Sequence, residues 1–177
     1  MTDLTRRSLI ALGAILPLAA CATVPRGPAE PGAPLTLVEA FQGRTVGRGI
    51  FVAPVIQSER RFTAVLNGRL EGDTLTVVED FAYDDGQADR LTWVFTRMGP
   101  GTWDGRREDT VGVAKAVEEG GLIRLTYLAD FESQGDVTRL GFSDVIYRGE
   151  GGMVINDGIV TRLGIPIGKV RFNIRRA

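Results

Sequence analysis

Leu122-Ile123-Arg124-Leu125-Thr126-Tyr127-Leu128-Ala129-Asp130-Phe131 is the stretch on which the fold turns. Ile123, Leu125, Tyr127, Ala129 and Phe131 occupy alternate positions, the longest clean apolar stripe in the chain. Successive side chains of a strand point to opposite faces, so a period of two marks a strand with one buried face. The same period continues downstream in Leu140, Phe142, Asp144 and Ile146, and closes the chain in Val170, Phe172 and Ile174. Upstream it recurs in Phe62, Ala64 and Leu66, in Leu75, Val77, Glu79 and Phe81, and in Leu91, Trp93 and Phe95.

Between these runs lie turn formers: Asn67-Gly68, Gly72-Asp73, Asp84-Asp85-Gly86, Gly99-Pro100-Gly101, Gly120-Gly121, Gly135-Asp136 and Asp157-Gly158. Asn-Gly and Asp-Gly tolerate the positive φ of tight hairpins, so sequential strands should meander. About eight to ten such strands must hide their edges, and closure is the general solution. The expected fold is therefore all-β: a lipocalin-like, up-and-down antiparallel barrel, with a β-sandwich as the alternative. Leu35, Val38 and Phe41, spaced by three, predict one short helix before the first strand.

The N-terminus reads differently. Arg6 and Arg7 precede an apolar run, Leu9–Leu18, and Leu18-Ala19-Ala20-Cys21 has the form of a lipoprotein cleavage site. A run of about ten residues is too short to cross ~30 Å of hydrocarbon. The expected layout is a cleaved signal peptide over 1–20, a lipid-bearing Cys21 with a proline-rich tether over 21–34, and a single barrel domain over 35–177. A signal-anchor helix or a chance cysteine is the alternative. The Arg6-Arg7 pair fits either a twin-arginine signal or the ordinary charge rule. Ala22 in place of Asp points to an outer-membrane lipoprotein facing the periplasm, if the cell is Gram-negative.

Absences exclude several chemistries. The chain has no histidine and a single cysteine, Cys21. Ser-His and Cys-His nucleophiles, histidine metal sites and disulfides within the domain are thereby excluded. No phosphate loop is present, the net charge is −1 and no basic tract stands out, which argues against nucleic acid. No cofactor or metal is expected. The Asp84, Asp85 and Asp89 cluster has oxygen ligands of the kind calcium takes, but matches no EF-hand spacing.

Two acids lie on apolar stripes, Glu79 between Val77 and Phe81 and Asp144 between Phe142 and Ile146. Arg60 shares the parity of Phe62. If those faces turn inward, the three charges form an interior cluster, since a buried charge needs a partner. The alternative places each near a strand end, wet or in a structural ion pair. With Phe62, Phe81, Trp93, Tyr127 and Phe142, these residues are the candidate ligand-binding set. Those aromatics either fill the barrel or line a cavity.

Several motifs resemble one family. Phe41-Gln42-Gly43, Gly47-Arg48-Gly49-Ile50-Phe51, Arg61-Phe62, Glu79-Asp80-Phe81-Ala82-Tyr83-Asp84-Asp85-Gly86, Arg90-Leu91-Thr92-Trp93, Asp109-Thr110-Val111-Gly112 and Thr161-Arg162-Leu163-Gly164 are similar to the domain-of-unknown-function family numbered 3833. The similarity spans roughly residues 35–176, with Val145 standing where the family usually has tryptophan. It implies a small bacterial lipoprotein, carries over no catalytic residue, and tilts the ligand toward fatty acyl chains through the genes that accompany the family.

Three functions follow as expectations. The first is a membrane-anchored barrel that binds a lipid or another hydrophobic small molecule. The second is a structural or interaction lipoprotein with a dry interior. The third is a carboxylate-dependent enzyme on a lipid-like substrate, which requires Glu79 or Asp144 inside a cavity.

Overall fold

The computed structural model describes residues 25–28, 30, 32–54, 57–133 and 136–177. The expected signal peptide, and Cys21 with its lipid, lie outside these residues. A short helix α1 (Leu37–Phe41) leads into ten strands: β1 (Gly43–Ala53), β2 (Ser58–Glu71), β3 (Thr74–Tyr83), β4 (Ala88–Gly99), β5 (Thr102–Arg106), β6 (Thr110–Glu119), β7 (Leu122–Ser133), β8 (Asp136–Arg148), β9 (Val154–Arg162) and β10 (Ile165–Arg176). Each strand pairs antiparallel with the next, and β1 pairs with β10, so the sheet closes into an up-and-down barrel. The expected barrel is the observed fold.

The alternating stripes face inward as their period requires. Register brings Tyr127 opposite Phe142, Leu125 opposite Asp144 and Ile123 opposite Ile146. On the other side of the barrel Leu66 stands opposite Glu79, which stands opposite Leu91. At one end Trp103, Phe95, Leu37, Leu66, Leu75, Ile123, Ile146 and Ile174 are almost fully buried. Here α1 plugs the barrel.

The plug is shorter than the span 35–41 predicted for it, yet Leu35 is still 2 % exposed and packs in the same core. Thr36 and Glu39 form a capping box that starts α1. Its first N–H, on Leu37, donates to Glu118 Oε1 at 2.8 Å, and Trp103 Nε1 donates to the same oxygen at 3.0 Å. Arg176 donates to the carbonyls of Glu39 and Gln42 at the far end of the turn. Gly68 leaves the space that the Phe41 carbonyl fills, and a Cβ there would collide with it.

Described residues of the proline-rich segment lie against the barrel. Arg124 Nη1 donates to the Pro25 carbonyl at 3.4 Å, and Gly27 sits against Val145 and Leu122. Gly32 lies against the Arg148 carbonyl. The reason is an apolar patch on the outer wall of β7 and β8. Leu122, Val145 and Tyr147 form a second cluster apart from the main core, and Val145 is 0 % exposed. Apolar surface of this kind is stabilised by cover, and the N-terminal segment contributes it.

Candidate functional site

The barrel interior is neither solid nor widely hollow. Above the plug lies a cavity of about 120 Å³, walled by Phe41, Phe62, Val77, Phe81, Trp93, Phe95, Leu125, Tyr127, Phe142, Ile146, Val170, Phe172 and Ile174. Glu79, Arg107, Asp144 and Asn156 supply its polar groups. The volume is that of roughly four water molecules.

The aromatic rings pack against one another rather than singly. Tyr127 stacks on Phe142 with centroids 4.6 Å apart, and meets Trp93 edge-on at 5.1 Å. Phe62 joins Phe81 at 5.6 Å and Phe172 at 5.2 Å. Such pairs prefer offset or edge-to-face geometry and rigidify the wall they form.

Glu79 and Asp144 are 7 % and 6 % exposed. Burial pushes the Glu79 carboxyl up to about 7; Asp109, Asp144 and Glu108 add to the rise, and Arg107 opposes it. Burial likewise pushes Asp144 up to about 7, against the pull of Asn156 and Arg107. A carboxylate removed from water loses its solvation, and the neutral acid is favoured until a cation or donors replace it. Gly158, directly opposite Asp144 on β9, gives this carboxyl its room, because a Cβ there would overlap Asp144 Oδ1.

The cation facing these acids is Arg107, in the turn between β5 and β6. Thr110 closes that turn: its Oγ1 accepts from Arg107 N at 2.9 Å and donates to Arg107 O at 2.8 Å. The guanidinium thereby reaches the interior, where Asp109 grips Nε and Nη2 at 2.7 and 2.8 Å. Nη1 stands 3.8 Å from Glu79 Oε2, and the group lies 4.8 Å from the Trp93 ring centroid. Burial works against its charge, but Tyr127, Asp109 and Glu79 outweigh it and hold its pKa above the ordinary arginine value. Burial raises the Tyr127 phenol, which stays protonated.

Of the residues singled out in the sequence, Phe62, Glu79, Phe81, Trp93, Tyr127, Phe142 and Asp144 meet around this cavity. Arg60 does not. It stands at the rim, where its Nε donates to Asp85 at 2.8 Å, its Nη2 donates to Gln87 at 2.8 Å, and its guanidinium covers the Tyr83 ring at 3.5 Å. Its parity is inward, but its height on β2 carries it past the cavity. The interior cluster of three charges is therefore corrected: Arg107 occupies the place expected of Arg60. Arg107 and Asn156 were missed. The available signal was parity, since Trp103, Gly105 and Arg107 share one face.

The site's hydrogen bonding is incomplete. Asn156 Oδ1 is buried without a partner among the described residues. Asp144 and Glu79, when ionised, only accept. Arg107 spends Nε and Nη2 on Asp109, so the cavity offers Asn156 Oδ1 and the ionised acids as acceptors, with the protonated Tyr127 phenol as a donor beside them.

Comparisons with known proteins bear on the fold and the family. The family described as "Protein of unknown function (DUF3833)" matches residues 15–176. No curated protein matches the chain. Among solved structures, that of the S-type phycobiliprotein lyase CPES from Guillardia theta is similar, with a TM-score of 0.58 at 8% identity, over 78% of this chain and 89% of that one. Likeness at such low identity concerns the lipocalin-like barrel alone.

Proposed function

The chain belongs to the DUF3833 family, and from that premise we propose that it is a binding protein for a small hydrophobic molecule carrying an N–H or O–H donor. The observation that carries this reading is the orphaned Asn156 Oδ1 beside Asp144, inside an aromatic cavity. A buried acceptor without a donor costs roughly 1–3 kcal/mol, which a ligand that supplies the donor recovers. Specific sites combine apolar walls with a few placed polar groups, as here. The solved neighbour is described as a phycobiliprotein lyase, so a barrel of this shape is compatible with a small hydrophobic ligand.

Size and charge narrow the choice. About 120 Å³ is well below the ≈ 300–1,000 Å³ of sites that enclose drug-sized ligands. A fatty acyl chain, toward which the family resemblance tilts, is the poorer occupant. Its carboxylate would meet Glu79 and Asp144, with Arg107, the one lining cation among the described residues, already held by Asp109. A compact amine, amide or alcohol with an aromatic or branched body suits the site, with rotation of half-buried Phe62 and Phe142 widening it.

The proposed setting is the periplasmic face of the outer membrane, with attachment through a lipid on Cys21. Support comes from the N-terminal sequence.

Titration of the full chain with a hydrophobic amine and with a fatty acid of similar size tests the ligand, read by fluorescence of Trp93. The amine should give a saturable change that Asp144→Asn weakens about tenfold or more, the worth of a hydrogen bond to a charged group. A saturable response to the fatty acid alone, or to neither together with no hydrophobic molecule retained in native mass spectrometry, would overturn the reading.

A second reading has its own observation. Two buried carboxyls that both titrate near 7 suit general acid–base work at neutral pH. A carboxylate-dependent enzyme predicts turnover that Glu79→Gln and Asp144→Asn abolish while ligand is still bound.

A further inference from the structure

A second polar chamber lies beside the plug, apart from the cavity just described. It has a volume of about 200 Å³ and is walled by α1, β1, the end of β8 and the last residues of β10. Its charged lining is three arginines, Arg148, Arg175 and Arg176, against one acid, Glu39. Glu39 Oε2 stands 3.7 Å from Arg148 Nη2 and also accepts from Thr36 N at 3.1 Å in the capping box. Arg176 spends Nη1 on the carbonyl of Gln42, which caps α1, and Nη2 on that of Glu39 within it.

Two donors remain. Arg148 Nε and Thr45 Oγ1 are both buried without a partner among the described residues. Thr45 is 2 % exposed, on the inward face of β1 and opposite Arg176 on β10. A buried guanidinium N–H lacking an acceptor is among the costlier groups to leave unsatisfied. Here it shares a chamber with a second unsatisfied hydroxyl and an excess of positive charge. An apolar occupant leaves both donors unmet. A cation is repelled by the arginines.

We propose that this chamber is an oxyanion site that binds a phosphate group. Arg148 Nε and Thr45 Oγ1 donate to its oxygens, and Arg175 and Arg176 supply the surrounding field. Arginine's planar fork is well matched to phosphate oxygens. The phosphate comes either free in solution or on a lipid headgroup, and the two sources present the same oxygens to the site.

The test uses the full chain in phosphate-free buffer, with the Arg148 Nε–H resonance followed by NMR. Inorganic phosphate is one titrant and short-chain dihexanoyl phosphatidylglycerol the other. A saturable shift of that resonance is expected with at least one of them. Phosphate alone sufficing identifies the free ion as the source, and a response confined to the lipid identifies the headgroup. Thr45→Val, which keeps the side-chain shape, should weaken binding about tenfold, and Arg148→Gln at least as much, the worth of a charge-assisted hydrogen bond. No saturable shift with either titrant overturns the proposal. So does a shift that both variants leave unchanged, as does a single ordered water that satisfies both donors in a crystal soaked with phosphate.

Discussion

At Asn156, in the middle of the barrel, a buried acceptor lacks a donor among the described residues; at Thr45 and Arg148, beside the plug, two buried donors lack an acceptor. The middle gathers Glu79 and Asp144 about a single guanidinium that Asp109 already holds. The plugged end gathers Arg148, Arg175 and Arg176 about one carboxylate. One β-wall thus supports two chambers of opposite sign. Strands β8, β9 and β10 line both, whereas β1 lines the plugged end and β2, β3, β4 and β7 line the middle. What separates the chambers is height along the barrel, set by register, together with α1, which divides the end from the middle. The family resemblance tilts the ligand toward a fatty acyl chain; the polar groups instead describe two differently charged rooms.

The contrast is broken most severely by taking away the middle's cation. Arg107→Met should destabilise the barrel by about 3–5 kcal/mol at pH 8, because Asp109 and Glu79 are left buried without a counter-charge. Urea denaturation at pH 5 should show a smaller loss, since Glu79 then takes up a proton. Equal losses at both values would mean that these charges do not sense each other.

The wild-type chain carries the same signature more weakly. Glu79 and Asp144 titrate near 7 in the folded barrel, against ordinary values near 4 in the unfolded chain. Between those limits the folded state binds more protons than the unfolded one. Stability is therefore fully present below about pH 4 as far as these two groups are concerned, and is lost as pH rises through 7. Denaturation midpoints should fall between pH 5 and pH 8, by the equivalent of up to about 2.6 kcal/mol for each group. Glu79→Gln with Asp144→Asn should flatten that slope.

At the plugged end the effects are smaller. Glu118→Ala strands the Trp103 indole N–H and the first N–H of α1, at a cost of about 1–2 kcal/mol. Its loss should be nearly independent of pH, which sharpens the difference between the two chambers. Thr45→Val should be neutral or stabilising by up to about 1 kcal/mol in phosphate-free buffer, because it removes an unpartnered hydroxyl. Added phosphate should raise the wild-type melting temperature more than the variant's, as measured by calorimetry.

The sequence made the walls legible and left the rooms obscure. A period of two is a local property, so the stripes through Phe62, Trp93 and Tyr127 could be read without knowing their neighbours. Glu79 and Asp144 stood out because they interrupt those stripes. Parity, however, reports the face of a strand and says nothing of height, which is why Arg60 shares a face with Phe62 and still misses the cavity. Arg107 was hidden in Arg106-Arg107-Glu108-Asp109, a charged turn of the kind that usually faces water. Only Thr110 and Asp109 together fold it inward, and that is a matter of turn geometry. The covered outer wall had a signal in Val145-Ile146-Tyr147, apolar on both faces, which marks a strand buried on both sides. The extended composition of the N-terminal segment did not indicate that this segment supplies the cover.

The pairing of β1 with β10 has a kinetic meaning. Thr45 and Arg176, partners in that seam, are 131 positions apart. Every other seam is a hairpin between consecutive strands, formed locally and early. Contacts between distant residues slow folding, because chain entropy must be surrendered before they are made. The last seam therefore has to wait for the final strand, and a ribosome still holding residue 176 holds an open, curling sheet with two bare edges. The Thr45 chamber, whose wall includes both sides of that seam, comes into being only at the moment of closure, whereas the hairpins that carry Glu79 and Asp144 are in place before it.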